Sequence, residues 1–386
     1  MVYNWDAMVA VKVPVGLNGW QNRGMVIING RKFLFPVGVE TMVPEPVAFY
    51  IDLMIRLEEE SNRPPSTPPE DEDGECDCVV SIIESASPTA ADLGSFSKLG
   101  PVRFPNAESV ENGAFENCTA LTSIDMPVAT SIGNYAFNGC TALTSIDLPV
   151  ATDIGNSAFQ HCTALTSIDL LVATSIGGSA FSGCDSLTSI DLPAATIIGG
   201  SAFSGCTSLT SIDLPTATDI GGSAFQYCTS LTSVDLPAAT NIWDSAFSGC
   251  DSLTSIDLPA ATSIGNSAFY GCTSLASIDL PAATNIWGSA FSGCTNFATL
   301  ILRTTETVCN VEFSALLGTK MFTEEEMYTG EGFIYVPASM YEMYKAAYEP
   351  AFEQIGAAGL SNILFRKLED YTVDGTATGK LDESKI

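Results

Sequence analysis

The sequence predicts a parallel β-solenoid flanked by two small non-repetitive ends, and three observations carry that prediction. Nine cysteines, Cys118, Cys140, Cys162, Cys184, Cys206, Cys228, Cys250, Cys272 and Cys294, recur at a constant interval of 22. A phenylalanine precedes each of them by three residues, from Phe115 to Phe291. Most units end in Leu-x-x-Ile-x-Leu-Pro, the alternation of a short strand that a proline stops. A single unit of this size cannot bury its own apolar layer, so about nine units must stack.

The elements follow in chain order. Residues 1–57 form a small β/α unit. Val9, Val11 and Val13 alternate, and Val26 to Phe35 reads as a hairpin closed by Asn29-Gly30. Pro44-Glu45-Pro46 then opens an amphipathic helix from Val47 to about Leu57. This stretch is similar to short segments of tailed-phage structural proteins, in which a hairpin leads into a Val-Pro-Glu-x-Val helix. Residues 58–78 hold nine acidic residues and four prolines, so charge repulsion and proline predict an extended linker. Residues 79–101 form the N-terminal cap region, with a strand near Val79–Ile83. The repeats occupy 102–302. Residues 303–369 close the array, with a strand at Phe333–Val336 and a helix over roughly Ala338–Ile355. Residues 370–386 are a tail that also resembles phage head or tail fibre proteins.

Within the unit, Ile146 and Leu148 share one face of the strand, while Ser145 and Asp147 face the other way. Ile132, Ala136, Phe137 and Cys140 complete the interior layer. Gly133 and the Asn/Gly position beside it turn the chain, with a helical or 3₁₀ turn near Ser-Ala-Phe. This pattern resembles the BspA-like leucine-rich repeat family. The resemblance implies a leucine-rich-repeat solenoid with short parallel strands, loops or 3₁₀ turns, and a C-terminal α/β cap. Family members are commonly surface proteins that adhere to host proteins or cells.

Composition excludes several functions. The chain carries 45 acidic residues against 15 Lys and Arg, which argues against binding nucleic acid through a basic face. No apolar run approaches the ~20 residues of a membrane span. The first residues lack the basic and apolar regions of a signal peptide. The single histidine, His161, speaks against multi-histidine metal sites. No nucleophile elbow, phosphate loop or dinucleotide fingerprint occurs, so no catalytic residues, metal site or cofactor are assigned. The cysteine column reads as buried, reduced thiols, since a line of cysteines does not enclose a metal.

Two features are candidates for binding. Asp125, Asp147, Asp169, Asp191, Asp213, Asp235, Asp257 and Asp279 share the exposed strand position. At ~4.8 Å spacing neighbouring carboxylates repel by ~0.9 kcal/mol in water. Sixteen acidic residues and no Lys or Arg lie between Phe104 and Leu302. This column is either a solvated acidic sheet or a surface for a cation or basic partner, with Asp191, Asp213, Asp235 and Asp257 at its centre. The spacing encloses no oxygen cage, so any Ca²⁺ association is weak. The second feature is a set of departures from the repeat. Trp243 and Trp287 replace a glycine two turns apart, Tyr227 replaces the glycine before a cysteine, and Tyr270 replaces a serine. These rings either stack on sugars, anchor a protein partner, or pack over the neighbouring turn.

Together these readings describe a non-enzymatic adhesion protein. In the leading version it is a phage or prophage virion protein of the head- or tail-fibre type. Residues 1–57 would bind virion structural proteins, and the solenoid a host-surface protein or glycan. In the alternative it is a bacterial surface or secreted adhesin. A carbohydrate-active enzyme is the remaining rival. A homo-oligomer is left open, as no coiled-coil heptads are visible.

Overall fold

The computed structural model describes residues 102–323, 328–329, 331–354 and 357–370, together with 8–12, 23–28, 31–36, 40–44, 79–82 and 88–89. Each 22-residue turn contributes two short strands. The first is Ser-Ile-Asp: Ser145–Asp147 pairs in parallel with Ser123–Asp125 and Ser167–Asp169, identical residues facing one another. The stack runs to Ser255–Asp257. A four-stranded parallel sheet follows it, ordered Ser277–Leu280, Thr299–Leu302, Phe333–Val336 and Phe365–Lys367. The second strand of each turn is only two residues long. Ten of these, from Ser109–Val110 to Asn310–Val311, make the other sheet.

The interior between the sheets is filled by repeating columns. In one turn Ile198, Ala202, Phe203, Cys206, Leu209, Ile212 and Leu214 are all buried. From Phe115 to Phe291 the phenylalanine rings stack face to face at 5.2–5.4 Å. Each thiol from Cys140 to Cys272 donates to the carbonyl of the phenylalanine one turn back, as Cys206 Sγ does to Phe181 O at 3.1 Å. The cysteines of the column are free thiols, and burial pushes Cys162, Cys206 and Cys250 up to about 12. Threonine hydroxyls tie the exposed side in the same manner, Thr196 donating to Thr174 O and Thr218 to Thr196 O.

Three details refine the sequence-based expectation. The array has ten turns, not nine. Asn285 pairs with Asn310, a step of 25, so three extra residues break the period. Leu316 and Thr319 then stand where Phe291 and Cys294 do, and Phe291 N donates to Ala315 O. The segment from 303 therefore begins with a further turn before the cap. Second, Ser-Ala-Phe forms hydrogen-bonded turns in the regular repeats, and a 3₁₀ helix occurs at the matching place only in the tenth, Phe313–Leu316.

Third, Gly133 opens the turn, its carbonyl accepting from Ala136 N, but it does not hold the left-handed conformation. The positive φ values fall two residues later, at Tyr135 (59°) and its equivalents Ser157 to Ser289, and again at Gly139 (73°). Gly133 is required for another reason. A Cβ there would lie 2.7 Å from the backbone of Glu111 and Asn112 in the turn before. Glycine lets successive turns touch.

At the N-terminal end, Arg23–Ile28 and Arg31–Pro36 pair antiparallel, with Ile28 opposite Arg31, and Met8–Lys12 pairs with Glu40–Pro44. Strand Val79–Ile82 pairs in parallel with Arg23–Ile28 and with Val102–Arg103. The hairpin therefore continues the Ser-Ile-Asp sheet, whereas the sequence reading set residues 1–57 apart from it. The helix expected at Val47–Leu57, the linker 58–78 with Cys76 and Cys78, and the tail beyond Asp370 lie outside the described residues. At the other end, helix α1 (Tyr341–Gln354) closes the stack. Its Tyr344 hydroxyl accepts from Cys309 N at 2.9 Å, and its Tyr348 hydroxyl donates to Cys309 O at 2.8 Å. The cap thereby satisfies backbone groups of the last turn.

Candidate functional site

The aspartate column lies where the alternation places it. Ile146 is buried while Ser145 and Asp147 on either side are exposed, and the same pattern repeats through Ser255–Asp257. Because the strands pair in register, each carboxylate stands directly beside its equivalent: Asp191 faces Asp213, which faces Asp235, which faces Asp257. The column is closed by an arginine at each end. Arg103 Nη1 lies 2.6 Å from Asp125 Oδ2, and Arg303 Nη2 lies 2.8 Å from Asp279 Oδ2. Arg303 Nε also reaches both oxygens of Asp279, making a forked contact. The sequence places these two arginines just outside the cation-free stretch, but their pairing needed the strand register. Among the described residues no three His, Cys, Asp or Glu side chains converge as a metal ion would require.

The aromatic departures divide into two groups. Trp243 and Trp287 line one slot of about 340 Å³ with Asp244, Ser263, Gly265 and Asn266. They stand on turns two apart, hence ~10 Å apart along the axis. Both are exposed, by 54% and 40%. The indole of Trp287 donates from Nε1 to Ser263 Oγ at 3.2 Å, so it leans back over the intervening turn. Gly265 of that turn is buried, whereas Gly133, Gly155, Gly177, Gly199 and Gly221 in the same column are half-buried. The floor of the slot is thus a glycine backbone covered by an aromatic ring.

Tyr227 and Tyr270 do not join this slot. Tyr227 holds a left-handed conformation (φ 61°) at a position that is usually glycine, and His161 does the same at 59°. Both lean on the next turn. A Cβ on Gly249 would lie 2.6 Å from the Tyr227 ring, and one on Gly183 would lie 2.6 Å from the His161 ring. A side chain in this column therefore demands glycine one turn on. Gly249→Ala is expected to destabilise the array more than Gly271→Ala. Both pay a left-handed strain of ~1 kcal/mol, but a Cβ on Gly271 meets nothing within 4 Å. Thermal melts of the two variants check the order.

A second space, of about 570 Å³, lies between the tenth turn and α1, walled by Val311, Leu316, Phe352 and Phe365. Among the described residues its lining carries no charged side chain.

A family model described as the BspA type leucine rich repeat region matches residues 95–206 and 196–323, with six copies. No curated protein matches the chain. Several solved structures are similar. A leucine-rich cell surface protein of Faecalibacterium prausnitzii is 24% identical, covering 64% of this chain and 86% of that one, with a TM-score of 0.32. A leucine-rich repeat protein of Bacteroides ovatus is 23% identical over 70% and 84%, with a TM-score of 0.33. The leucine-rich repeat protein of T. pallidum is 31% identical over 45% and 77%, with a TM-score of 0.34.

Proposed function

Because the chain belongs to the BspA-type leucine-rich repeat family, we propose that it is a surface-displayed, non-enzymatic adhesin that binds a basic protein partner. The observation that supports this reading most is the uncompensated acidic face. Asp147 to Asp235 are held in register on a rigid sheet, and no Lys or Arg lies between Phe104 and Leu302 to neutralise them. A stack of this kind offers a flat, preorganised surface whose partner need order only itself. Charge of one sign also steers a basic partner and makes its association fall with salt.

The test is biolayer interferometry of the full chain against immobilised extracellular proteins of graded isoelectric point, over about 50 to 500 mM NaCl. Basic proteins should bind, with affinity falling as salt rises. The triple variant Asp191→Asn, Asp213→Asn, Asp235→Asn should bind more weakly. Binding that ignores salt and these substitutions, or binding of glycans alone, would overturn the reading.

A narrower version places the solenoid on a phage particle through residues 1–57. What favours it is the likeness of that segment to tailed-phage proteins, with its hairpin built onto the first strands of the solenoid sheet. Mass spectrometry of density-purified particles tests it. Peptides from both ends of the chain should track with infectivity, and their confinement to the surface of producing cells would exclude it.

A further inference from the structure

We propose that the slot between Trp243 and Trp287 is a binding site for a guanidinium group, the side chain of an arginine on a protein partner. The argument rests on what the repeat would place there and what stands there instead. The column that holds Trp243 and Trp287 is glycine at 133, 155, 177, 199, 221 and 265. It is glycine because a Cβ at most of these positions meets the preceding backbone at 2.6–2.8 Å. An indole here is sterically costly, and Trp243 shows the cost. Its N–H reaches Ile220 O at 3.3 Å, where the glycines from Gly133 to Gly265 make the same bond at 2.8–2.9 Å; Trp287 keeps its own bond, to Ile264 O, at 2.9 Å. Trp287 packs over Gly265 and bonds Ser263, yet both rings stay about half exposed at positions where the repeat places no side chain, which points to a role outside packing.

The neighbouring residue departs in the same way. In earlier turns Asn112 Oδ1 accepts from Asn134 N, and Asn134 Oδ1 from Asn156 N, each at 2.7 Å. Asp244 Oδ1 does the same job for Asn266 N at 2.8 Å. An asparagine would serve equally, so the charge of Asp244 exceeds what the ladder requires. Among the described residues its Oδ2 makes no hydrogen bond.

Trp243, Asp244 and Trp287 therefore put two exposed indoles and a carboxylate around one gap, in an array that holds no cation of its own between Phe104 and Leu302. Aromatic faces and a carboxylate attract the same ligand, a cation. Guanidinium fits better than ammonium. It is planar, so it stacks on an indole face at ~3.5–4.0 Å. Its rim of donors meets the Asp244 carboxylate while its face meets an indole. The proposal rests on the protein-binding reading for the source of the arginine.

The test uses the full chain and a short capped peptide, acetyl-Gly-Arg-Gly-amide, followed through the indole N–H NMR signals of Trp243 and Trp287. The variants Trp243→Gly and Trp287→Gly assign those signals and restore the consensus residue, so folding should be retained. The peptide should bind in the millimolar range and shift both signals. Either glycine variant should weaken it at least tenfold, and Asp244→Asn several-fold. His161→Gly, outside the slot, should change nothing. A citrulline peptide of the same shape should not bind. Equal binding of the citrulline peptide, binding of methyl glucoside in place of arginine, or no shift at millimolar peptide would each overturn the assignment. The peptide is read without any partner. Its failure therefore leaves the salt-dependent binding of basic proteins standing, and loss of that binding leaves the peptide result standing.

Discussion

Replacing Phe203 by alanine should cost about 3–5 kcal/mol, the largest effect expected of any single side chain in the array. Phe203 is fully buried and stacks on Phe181 and Phe225, each at 5.3 Å and within 5° of parallel. Truncation removes ring contacts on two sides and opens a void that neither neighbour can fill, since each is held by the next ring in the ladder. The position matters as much as the area. In a stack where each turn touches only its neighbours, stability is a sum of turn and interface terms. A lesion at the fifth of ten turns weakens the coupling between two halves. Urea unfolding should then broaden or split, while Phe115→Ala at the first turn should lower stability without splitting. Phe203→Leu should cost much less, because Leu316 already occupies this column in the tenth turn and is buried there. A loss below about 1 kcal/mol for Phe203→Ala would mean that the ladder is not what couples the turns.

The same ladder shows why much of the fold was legible in the sequence. A column of Phe and a column of Cys at constant spacing admit one arrangement, identical residues stacked in register. The strand at Phe333–Val336, the cap helix and the antiparallel pair Arg23–Ile28 and Arg31–Pro36 also follow from local pattern. What escaped has physical causes. The second sheet is built from two-residue strands such as Ile197–Ile198, too short to show alternation. The tenth turn hid behind three extra residues and the replacement of Phe and Cys by Leu316 and Thr319. Gly133 does open the turn, but the left-handed residue stands two positions on, at Tyr135 and its serine equivalents, where no glycine marks it in the sequence. Of the candidate site, the pairing of Trp243 with Trp287 was readable from their two-turn spacing. The part of Asp244 was not, since its excess charge shows only beside the asparagine ladder that performs its structural work.

The acidic face should make the array less stable as pH rises from about 4 to about 7, opposite to the usual behaviour of paired carboxylates. Asp125 is the main source. Burial raises it to about 6, and this outweighs Arg103, which draws it down; Asp147 beside it adds a smaller upward push. Its Oδ1 is buried without a hydrogen-bond partner among the described residues, which explains why one close arginine does not suffice. Asp147, exposed at the strand surface but partly desolvated by its neighbours, is also raised, first by that desolvation and then by Asp169. The sign follows from linkage. A carboxyl that binds its proton more tightly folded than unfolded stabilises the fold below its unfolded value and loses that contribution as pH rises through its folded value. For Asp125 the window runs from about 4 to somewhat above 6, and the contribution is at most about 3 kcal/mol. Glu349 in the cap works the other way. The Ser361 hydroxyl and the Gly359 N–H hold it low, so its contribution is lost in stronger acid. Stability should therefore decline from about pH 4 toward neutrality. Asp125→Asn keeps the shape, removes the charge and should flatten the decline. Urea midpoints measured from pH 3.5 to 8 for the two proteins decide it. A midpoint that climbs steadily to pH 7, or an asparagine variant that follows the parent curve, would show that Arg103 holds Asp125 ionised after all.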